Sequence, residues 1–371
     1  MKEYANEEKQ ARYLARQRAV NLIKANVSAS ISRFRNRPIV YGKPSILMIE
    51  PSNVCQLHCP LCFTGQKGLQ RPRGIMSLEN FSKIIDDAKD SIFFLMLFFD
   101  GEPFVNRHLL DMVSLAKKSK INVLTSTNGQ IDIDMPKAKE IVESGLDRIV
   151  VSMPGLTQQS YAMYGSGGDF FRAKNFIQLI AEAKKNLGST KPILDIELLL
   201  LRSAEDDLII AQDTMSSWGG DILTFKTIFI PEHLKDSAET WLPKNPDLSR
   251  YWKKDNRFVY RTEVGPFCKR LWQIATIYWN GDMAGCCCDQ QGDRILGNVL
   301  EDGGLRTVWH GQKAQDFRAE IMYQTETPAL CRNCTGGLLN FYIRSDISYI
   351  QRIRETVRIY GMHFGRSRVT K

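Results

Sequence analysis

The chain has 371 residues, with 50 Lys and Arg against 41 Asp and Glu, and a formal net charge of +9. Its 43% apolar and 25% charged residues are typical of a folded protein, which excludes wholesale disorder, collagen and coiled coil. The longest apolar runs, at 92–99 and 196–201, are too short to span a bilayer. The first 24 residues are charged throughout and lack the apolar segment of a signal peptide, so we expect a cytoplasmic protein.

The first element predicted along the chain is a basic amphipathic helix over residues 6–37, which Pro38 ends. Its apolar residues recur three, four or seven positions apart: Tyr13, Val20, Ile23, Val27, Ile31 and Phe34. We expect this stripe to pack on the barrel or on a partner protein. Adsorption of the basic helix to an anionic membrane is the alternative.

From residue 45 onward, apolar strands alternate with helices. Strands are predicted at 45–50, 92–99, 122–126, 148–152, 194–201 and 222–230. Helices are predicted at 78–90, 105–119, 136–145, 170–187 and 205–218. Continuous apolar strands separated by helices indicate a parallel sheet covered by helices. Six repeats are fewer than the eight of a closed barrel, so we expect an open, curved (βα)6 sheet.

The C-terminal third has a different pattern. Residues 231–265 are polar and contain several prolines, which predicts a linker. Strands at 273–279 and 283–288 flank Asn280-Gly281-Asp282, a strong hairpin signal. Helices are predicted at 304–322 and 338–360. We therefore divide the chain into a basic helical extension (1–44), a partial barrel (45–230), a linker (231–265), a cysteine-rich domain (266–340) and a C-terminal helix with a basic tail (341–371).

All nine cysteines lie in two zones, with none between Cys62 and Cys268. In a cytosolic chain, clustered cysteines indicate metal binding or catalysis rather than disulfides. Cys55, Cys59 and Cys62 directly follow the first predicted strand, where open α/β sheets carry their sites. Three thiolates on a four-iron cubane leave one iron open, and His58 is poorly placed to reach it. The alternative is a zinc site with a distant fourth ligand.

The CxxxCxxC spacing after a first strand resembles the signature of the radical S-adenosylmethionine (SAM) superfamily. The resemblance implies a partial (βα)6 barrel and a [4Fe–4S] cluster whose open iron binds SAM. Reductive cleavage of SAM then gives a 5′-deoxyadenosyl radical that abstracts a hydrogen atom. The family's residue before the third cysteine is usually aromatic, whereas this chain has Leu61 there and Phe63 just after.

Further motifs match the same family on successive strand ends. Asp100-Gly101-Glu102-Pro103 resembles the Gly-Gly-Glu-Pro motif near the SAM ammonium, with Asp100 in place of the first glycine. The segment 126–129 is similar to the ribose- and methionine-contacting segment. The residues that the resemblance implies for SAM binding are Gly101, Glu102, Ser126, Asn128, Ser152 and Arg202.

A second set of cysteines, together with the predicted hairpin, resembles the auxiliary-cluster domain of the SPASM/Twitch subgroup. Its spacings resemble those of the Twitch-type aminoglycoside dehydrogenase. The resemblance implies one auxiliary [4Fe–4S] cluster, closed by Cys268, Cys286, Cys331 and Cys334. A structural zinc is the alternative. Cys287 and Cys288 are either packing residues or, for Cys288, an alternative ligand, since Cys286 and Cys288 would share one face of a strand.

Two clusters favour an oxidation, because a substrate radical formed from an alcohol becomes a ketone when it loses a proton and an electron. We therefore expect a dehydrogenase-like radical SAM enzyme that acts on a sugar, aminocyclitol or nucleotide-sugar. Its electron donor would be of the flavodoxin or ferredoxin type. Asp289 and Glu197 are hypotheses for the proton acceptor. The alternatives on the same substrates are redox-neutral elimination or epimerisation.

Two other classes of protein compete with this interpretation. A maturase of a ribosomal peptide is less favoured, because we expect the 44 residues before the barrel to be too few for a winged-helix leader-binding domain. A non-enzymatic metal- or nucleic-acid-binding module is slightly favoured by the basic ends, but it does not need six βα repeats. We expect no nucleic-acid partner, and the basic terminal helices suggest peripheral contact with a membrane or a partner protein.

Overall fold

The structure is a computed structural model that describes residues 2–255, 257–260, 267–323, 329–331, 334 and 341–344. It begins with a long helix, α1 (Lys2–Arg35). The strands that follow are β1 (Ile46–Ile49), β2 (Phe94–Met96), β3 (Asn122–Thr127), β4 (Arg148–Met153), β5 (Ile193–Leu200) and β6 (Ile222–Thr227). The helices between them are α2 (Leu78–Ala88), α3 (Leu109–Lys118), α4 (Met135–Glu143), α5 (Gln158–Ala162), α6 (Phe170–Asn186) and α7 (Ala211–Trp218).

Local sequence signals account for several helix starts. The Ser77 hydroxyl accepts a hydrogen bond from the Asn80 amide at 3.1 Å, which caps α2. The Asp134 carboxylate caps α4, and Pro136 lies in its first turn. The helix predicted at 205–218 begins only at Ala211, after single 3-10 turns at Arg202–Ala204 and Asp206–Ile209.

Strands β1 to β6 pair in parallel in chain order, and α2 to α7 lie between them along the chain. The open sheet of six repeats predicted from the sequence is confirmed. Because these strands run in one direction, their carboxyl ends meet at one edge of the sheet, and the loops there are placed to form a common site.

The elements after β6 are α8 (Ala238–Trp241), β7 (Tyr251–Lys254), β8 (Arg257–Tyr260), β9 (Ile274–Ile277), β10 (Asp282–Ala284), β11 (Ile295–Asn298), α9 (Leu305–His310), α10 (Gln312–Tyr323) and β12 (Phe341–Arg344). The predicted linker therefore contains local structure, since α8 and the antiparallel pair β7–β8 lie within it. The predicted hairpin forms between β9 and β10, with Gly281 at φ 92° in its turn.

The C-terminal elements extend the same sheet instead of building a separate one. β9 pairs in parallel with β1, and β10 and β11 continue outward from it. At the opposite edge, β12 pairs antiparallel with β6. The ten strands run in the order β11-β10-β9-β1-β2-β3-β4-β5-β6-β12.

The helix predicted at 338–360 is wrong for residues 341–344, which form β12. These residues are rich in aromatic and β-branched side chains, and they pair with the otherwise free edge of β6. That pairing overrides the helical spacing of the apolar residues in this segment. The rest of the predicted helix and the basic tail lie outside the described residues.

The apolar stripe of α1 does not pack on the barrel, so that part of the expectation is wrong, and packing of the stripe on a partner protein stays a prediction. The buried positions are Leu14, Arg18, Asn21, Ala25, Ser28, Ala29 and Ser32. The Arg18 guanidinium donates to the carbonyls of Lys89 and Ser119, at 2.7 and 2.5 Å, which follow α2 and α3. A cation is favoured at helix C-termini, where carbonyls lack intrahelical partners. These bonds turn a polar face inward.

Apolar side chains of the sheet and its covering helices form one continuous core. A smaller cluster joins α1 to the C-terminal region, where Ala29 packs with Trp272 and Phe317. Among the described residues, no helix has the length and apolar character needed to cross a membrane.

Candidate active site

The first cysteine loop directly follows β1 and opens onto a cavity of about 210 Å³ at the carboxyl ends of the strands. Cys55, Cys59 and Cys62 all line this cavity. His58 is not among the lining residues, and its ring lies beside Gly167. Among the described residues that line the cavity, these three thiols are therefore the soft ligands available to a metal centre.

The protonation of these thiols is set by their burial. Burial, together with the smaller effect of neighbouring thiolates, raises the pKa of Cys55 to about 11 and that of Cys59 to about 12. Burial also raises the pKa of Cys62. The sulfur of Cys55 accepts hydrogen bonds from the Leu57 amide at 3.4 Å and from the Asn128 side chain at 3.5 Å. A thiol with a raised pKa loses its proton when a metal cation binds it, and N–H donors stabilise the thiolate that results. Both features fit a cysteine that ligates an iron–sulfur cluster.

Gly101 forms the part of the cavity wall nearest the cysteine loop. Its φ is +71°, and an added Cβ would lie 2.6 Å from the Asn53 Cα and from the Ser52 carbonyl oxygen. The next amide, that of Glu102, donates to the Val54 carbonyl at 2.9 Å. Only glycine permits this approach of two loops, so the motif glycine positions the β2 loop against the cysteine loop.

Glu102 is fully buried, and its carboxylate is already engaged by the chain. It accepts from the Thr127 hydroxyl at 2.9 Å, the Asn128 amide at 2.8 Å and the Phe104 amide at 3.1 Å. Burial raises the pKa of Glu102 to about 7. Glu102 therefore holds the end of β3 in place, a structural task that the sequence motif did not reveal.

The residues predicted to bind SAM come together with one exception. Gly101, Glu102, Ser126, Asn128 and Ser152 all line the cavity. Arg202 is not among the lining residues: it is exposed and donates to the Leu242 carbonyl at 3.1 Å.

Sequence reasoning missed the aromatic part of the cavity wall and the partners of Glu197, although it suggested Glu197 itself. Phe98, Phe99, Tyr161 and Tyr164 line the cavity. The Glu197 carboxylate accepts from Ser152 at 3.2 Å and from the Lys226 ammonium at 2.9 Å. A carboxylate inside an apolar strand was the available signal for this group.

Asp289, the other proton acceptor suggested by the sequence, has a different task. Its carboxylate accepts from the backbone amides of Gly292, Asp293 and Arg294, at 3.0, 2.9 and 2.9 Å. It is fully buried and shapes the loop after the cysteine triplet. Burial raises the pKa of Asp289 while the backbone donors lower it, and these three donors already occupy the carboxylate, which makes it a poor proton acceptor.

The second cysteine group assembles around the turn that follows β10. The expected strand ends at Ala284, and the Asp289 amide closes a turn on the Cys286 carbonyl at 3.1 Å. Because of this turn, the sulfurs of Cys286, Cys287 and Cys288 all lie within 4.8 Å of one another. The expectation that only alternate cysteines share a face is therefore wrong.

The remaining cysteines of this group lie near the same turn. Burial raises the pKa of Cys268, and so does the nearby Cys334 thiolate. Burial likewise raises the pKa of Cys331, followed by the effects of Cys334 and Cys268. The Cys288 amide donates to the Cys286 sulfur at 3.3 Å. Clustered, buried thiols with an N–H donor fit an iron–sulfur centre here as well.

A buried ionic network connects the barrel loops to the residues after the cysteine triplet. The Arg71 guanidinium donates to Glu50 at 2.7 and 2.5 Å and to Asp100 at 2.7 Å. It also donates to the Gln290 carbonyl at 2.7 Å, while the Gln290 side chain donates to Asp100 at 2.6 Å. The unusual aspartate of the Asp-Gly-Glu-Pro motif thus has a partner in each half of the chain.

Comparison with known families agrees with this geometry. Residues 49–195 match the radical SAM superfamily, and residues 268–335 match the SPASM iron–sulfur cluster-binding domain. The chain is a radical SAM protein with a SPASM domain. The first match contains the cysteines of the cavity, and the second contains those around the turn after β10.

Individual relatives of this radical SAM protein are distant. Fe-coproporphyrin III synthase of Methanosarcina barkeri is 27% identical over 34% of this chain and 32% of its own. Mycofactocin maturase MftC of Mycobacterium tuberculosis is 22% identical over 78% of this chain and 75% of its own. SuiB of Streptococcus suis, solved with S-adenosylmethionine, has a TM-score of 0.57 at 16% identity over 84% of this chain and 76% of its own, which shows a shared fold. The chain spans only 30–50% of the length of several curated relatives.

The cofactors of this radical SAM protein are [4Fe–4S] clusters and SAM. The residues present fit both: buried thiols with N–H donors in two places, and a cavity beside the first of them. When bound, cluster and SAM together supply a 5′-deoxyadenosyl radical that removes a hydrogen atom from a substrate.

Proposed function

We propose that Cys55, Cys59 and Cys62 hold the SAM-cleaving cluster of this enzyme. SAM would bind along the adjoining wall, which contains Gly101, Ser126, Asn128 and Ser152, with Glu102 holding that wall in place. The support for this assignment is that all these residues line one cavity at the carboxyl ends of the parallel strands. Arg202 stays outside the proposed SAM site because its guanidinium bonds elsewhere.

We propose that Cys268, Cys286, Cys331 and Cys334 hold one auxiliary [4Fe–4S] cluster within the domain over residues 266–340. Mutual effects on pKa support the grouping of Cys268, Cys331 and Cys334, and Cys286 packs against the same small cluster as Cys268 and Cys331. Four thiolates would close the cluster to substrate, which leaves electron transfer as its task. The chain would receive its reducing electron from a donor of the flavodoxin or ferredoxin type.

The substrate that we propose is a small polar molecule with hydroxyl or amino groups, such as a sugar, an aminocyclitol or a nucleotide-sugar. The observation that carries this proposal is that the Ser152 hydroxyl, in the cavity wall, donates to the Glu197 carboxylate, which also accepts from the Lys226 ammonium. A hydroxyl at the wall that is backed by a carboxylate and an ammonium is a polar arrangement suited to such groups.

The reaction that we propose is oxidation of an alcohol to a ketone. A hydrogen atom passes from the carbinol carbon to the 5′-deoxyadenosyl radical, which becomes 5′-deoxyadenosine, and the resulting substrate radical loses the hydroxyl proton and one electron. We assign the proton to Glu197, which the Ser152 hydroxyl connects to the cavity wall, and the electron to the auxiliary cysteine site. Every atom and electron of the two-electron oxidation is then accounted for.

A maturase of a ribosomal peptide is the second candidate, and a specific observation favours it. The match to mycofactocin maturase MftC spans 78% of this chain, and PqqA peptide cyclase of Streptomyces rochei is also a relative, at 28% identity over 30% of this chain. Redox-neutral elimination or epimerisation of a small substrate is a further alternative.

The test uses the reduced, anaerobically reconstituted protein with SAM and either carbon-deuterated polyols and amino sugars or candidate peptides. We expect deuterium in 5′-deoxyadenosine and a small-molecule product lighter by two hydrogen atoms. Glu197→Gln should lower product formation at least tenfold while the iron content is unchanged, and exposed Glu79→Gln is its matched control. Transfer only from a peptide, or a product of unchanged mass, would contradict the proposal.

A further inference from the structure

The outward face of α1 carries large apolar side chains although the helix is well anchored. Tyr13, Val20, Ile23, Val27 and Phe34 lie on it, and Ile23 and Phe34 are 62% and 86% exposed. Exposed apolar residues that recur along one helix face, rather than singly, indicate an interaction surface. We call these five residues the outer stripe of α1.

After its first turns, which contain Glu3, Glu7 and Glu8, the charged residues of α1 are all cations. No Asp or Glu occurs between residues 9 and 37. The exposed cations beside the outer stripe are Arg12, Arg16, Lys24, Arg33 and Arg35. An apolar stripe flanked only by cations is typical of helices that lie in the interface of an anionic lipid bilayer.

The inner face holds the helix at a fixed rotation, so the outer stripe cannot turn inward. Besides the Arg18 bonds, the Asn21 side chain donates to the carbonyls of Lys43 and Ser91, at 3.0 and 3.2 Å. It also accepts from the Lys43 amide at 2.8 Å. Buried side chains that satisfy several backbone groups are costly to release.

The position of α1 leaves the active-site cavity open. Its inner face contacts the backbone at Lys43, Ser91 and Ser119, which lie before β1, β2 and β3 at the amino ends of these strands. The cavity lies at their carboxyl ends. A surface that covers the outer stripe would therefore lie at the opposite end of the barrel from the cavity mouth.

We propose that the outer stripe of α1 and its flanking cations adsorb to an anionic lipid surface, with the cavity facing the water. Charge decides against the two occupants that this chain itself could supply. A second copy of α1 is equally basic, and residues 351–371 of this chain carry several cations and a single carboxylate, Glu355. Phospholipid headgroups supply the opposite charge, and their acyl region accommodates the apolar side chains. This proposal does not depend on the proposed enzymatic reaction.

The experiment is sedimentation of the full chain with vesicles of phosphatidylcholine alone or mixed with phosphatidylglycerol. We expect binding only to the mixed vesicles, with a loss on addition of salt. Arg16→Gln with Lys24→Gln should weaken the partition coefficient by about 25-fold, roughly fivefold per cation. Ile23→Ser with Phe34→Ser should weaken it at least as much.

Matched controls exist on the same protein. Ile209 is 85% exposed and lies outside α1, so Ile209→Ser should bind as the wild type does, and so should Lys83→Gln. Hydroxyl-radical footprinting should show Phe34 reactive in solution and protected by the mixed vesicles. The proposal is overturned by equal binding to neutral vesicles, by wild-type binding of both α1 variants, or by protection of Phe34 without lipid. A solution dimer that Ile23→Ser with Phe34→Ser dissociates would also overturn it.

Discussion

Arg71 compensates the buried charge of Asp100, the residue at which this chain departs from the family motif. Asp100 stands where the motif has glycine, and without Arg71 its buried carboxylate would lose its charged partner and keep only the Gln290 side-chain donor. Burial and the neighbouring Glu50 charge raise the pKa of Asp100 to about 7, although the Arg71 charge lowers it. The side chains of Arg71, Glu50 and Asp100 are 7%, 0% and 3% exposed, so each depends on the others.

Removal of this cation is the first prediction. Arg71→Met should lower the free energy of unfolding by about 3–5 kcal/mol, because two buried carboxylates lose their partner. Arg294→Met is the matched control: it breaks an exposed pair with Glu320 and should cost about 1 kcal/mol or less. Urea unfolding measures both values, and equal losses would contradict the assigned role of Arg71.

The same variant has a predictable pH dependence. Without Arg71, the pKa values of Glu50 and Asp100 in the folded protein should rise further. In the unfolded chain the same carboxyl groups have a pKa of about 4 and are deprotonated above it. Between these pKa values, the folded variant therefore binds more protons than the unfolded chain. Stability of Arg71→Met should therefore increase as the pH falls from about 8 to 5, and its difference from the wild type should shrink. A difference that grows on acidification would contradict this account.

The cysteine triplet allows a second prediction at this scale. Cys286→Ala should halve the iron and labile sulfide of reconstituted protein, since we assign Cys286 to the auxiliary cluster. Cys287→Ala should keep both, because the Cys287 sulfur faces the Arg270 guanidinium at 3.9 Å. Full iron in Cys286→Ala together with loss in Cys288→Ala would instead make Cys288 the ligand.

At the scale of elements, sequence patterns predicted the presence and order of most elements but not always their faces. The β1 to β6 strands and their helices follow from apolar runs and caps, which act locally. The apolar stripe of α1 has a helical period, but a different side of the helix packs on the protein. That side packs because Arg18 bonds to the carbonyls that follow α2 and α3, and the sequence of α1 does not reveal these partners. β12 and the turn at Cys286 likewise depend on pairing and packing partners distant in sequence.

The inner face of α1 can be tested through Asn21. Asn21→Ala should destabilise the protein by about 1–3 kcal/mol, because the Lys43 amide and two carbonyls lose a buried partner. Ser30→Ala, at an exposed position of the same helix, should change the free energy of unfolding by less than about 0.5 kcal/mol. Similar unfolding midpoints for the two variants would show that the inner face does not anchor α1.

At the scale of the whole molecule, the barrel and the C-terminal region share one sheet. β9 extends β1, Arg71 bonds to both parts, and Ala29 of α1 packs with Trp272. The sequence divided these parts into separate domains because composition changes between them, whereas strand pairing joins them. The motifs identified the cysteines and the glycine at the cavity, but not the bonds of Glu197 to Ser152 and Lys226 or the aromatic wall.

This continuity predicts a single cooperative unfolding transition. In urea, the midpoints from far-UV circular dichroism and tryptophan fluorescence should coincide, because the C-terminal strands cannot leave without exposing β1. Arg71→Met should move both midpoints together. Separate transitions for the two probes would mean that the C-terminal region unfolds independently.

The central claim is that the first cysteine group holds a [4Fe–4S] cluster at three corners and leaves the fourth iron to SAM. The most direct measurement is Mössbauer and EPR spectroscopy of anaerobically reconstituted, reduced protein, with and without SAM. We expect two [4Fe–4S] clusters per chain, a spectral change on SAM addition at one of them, and loss of that cluster alone in Cys55→Ala/Cys59→Ala/Cys62→Ala. Zinc without labile sulfide, spectra indifferent to SAM, or 5′-deoxyadenosine formation by the triple variant would contradict the claim.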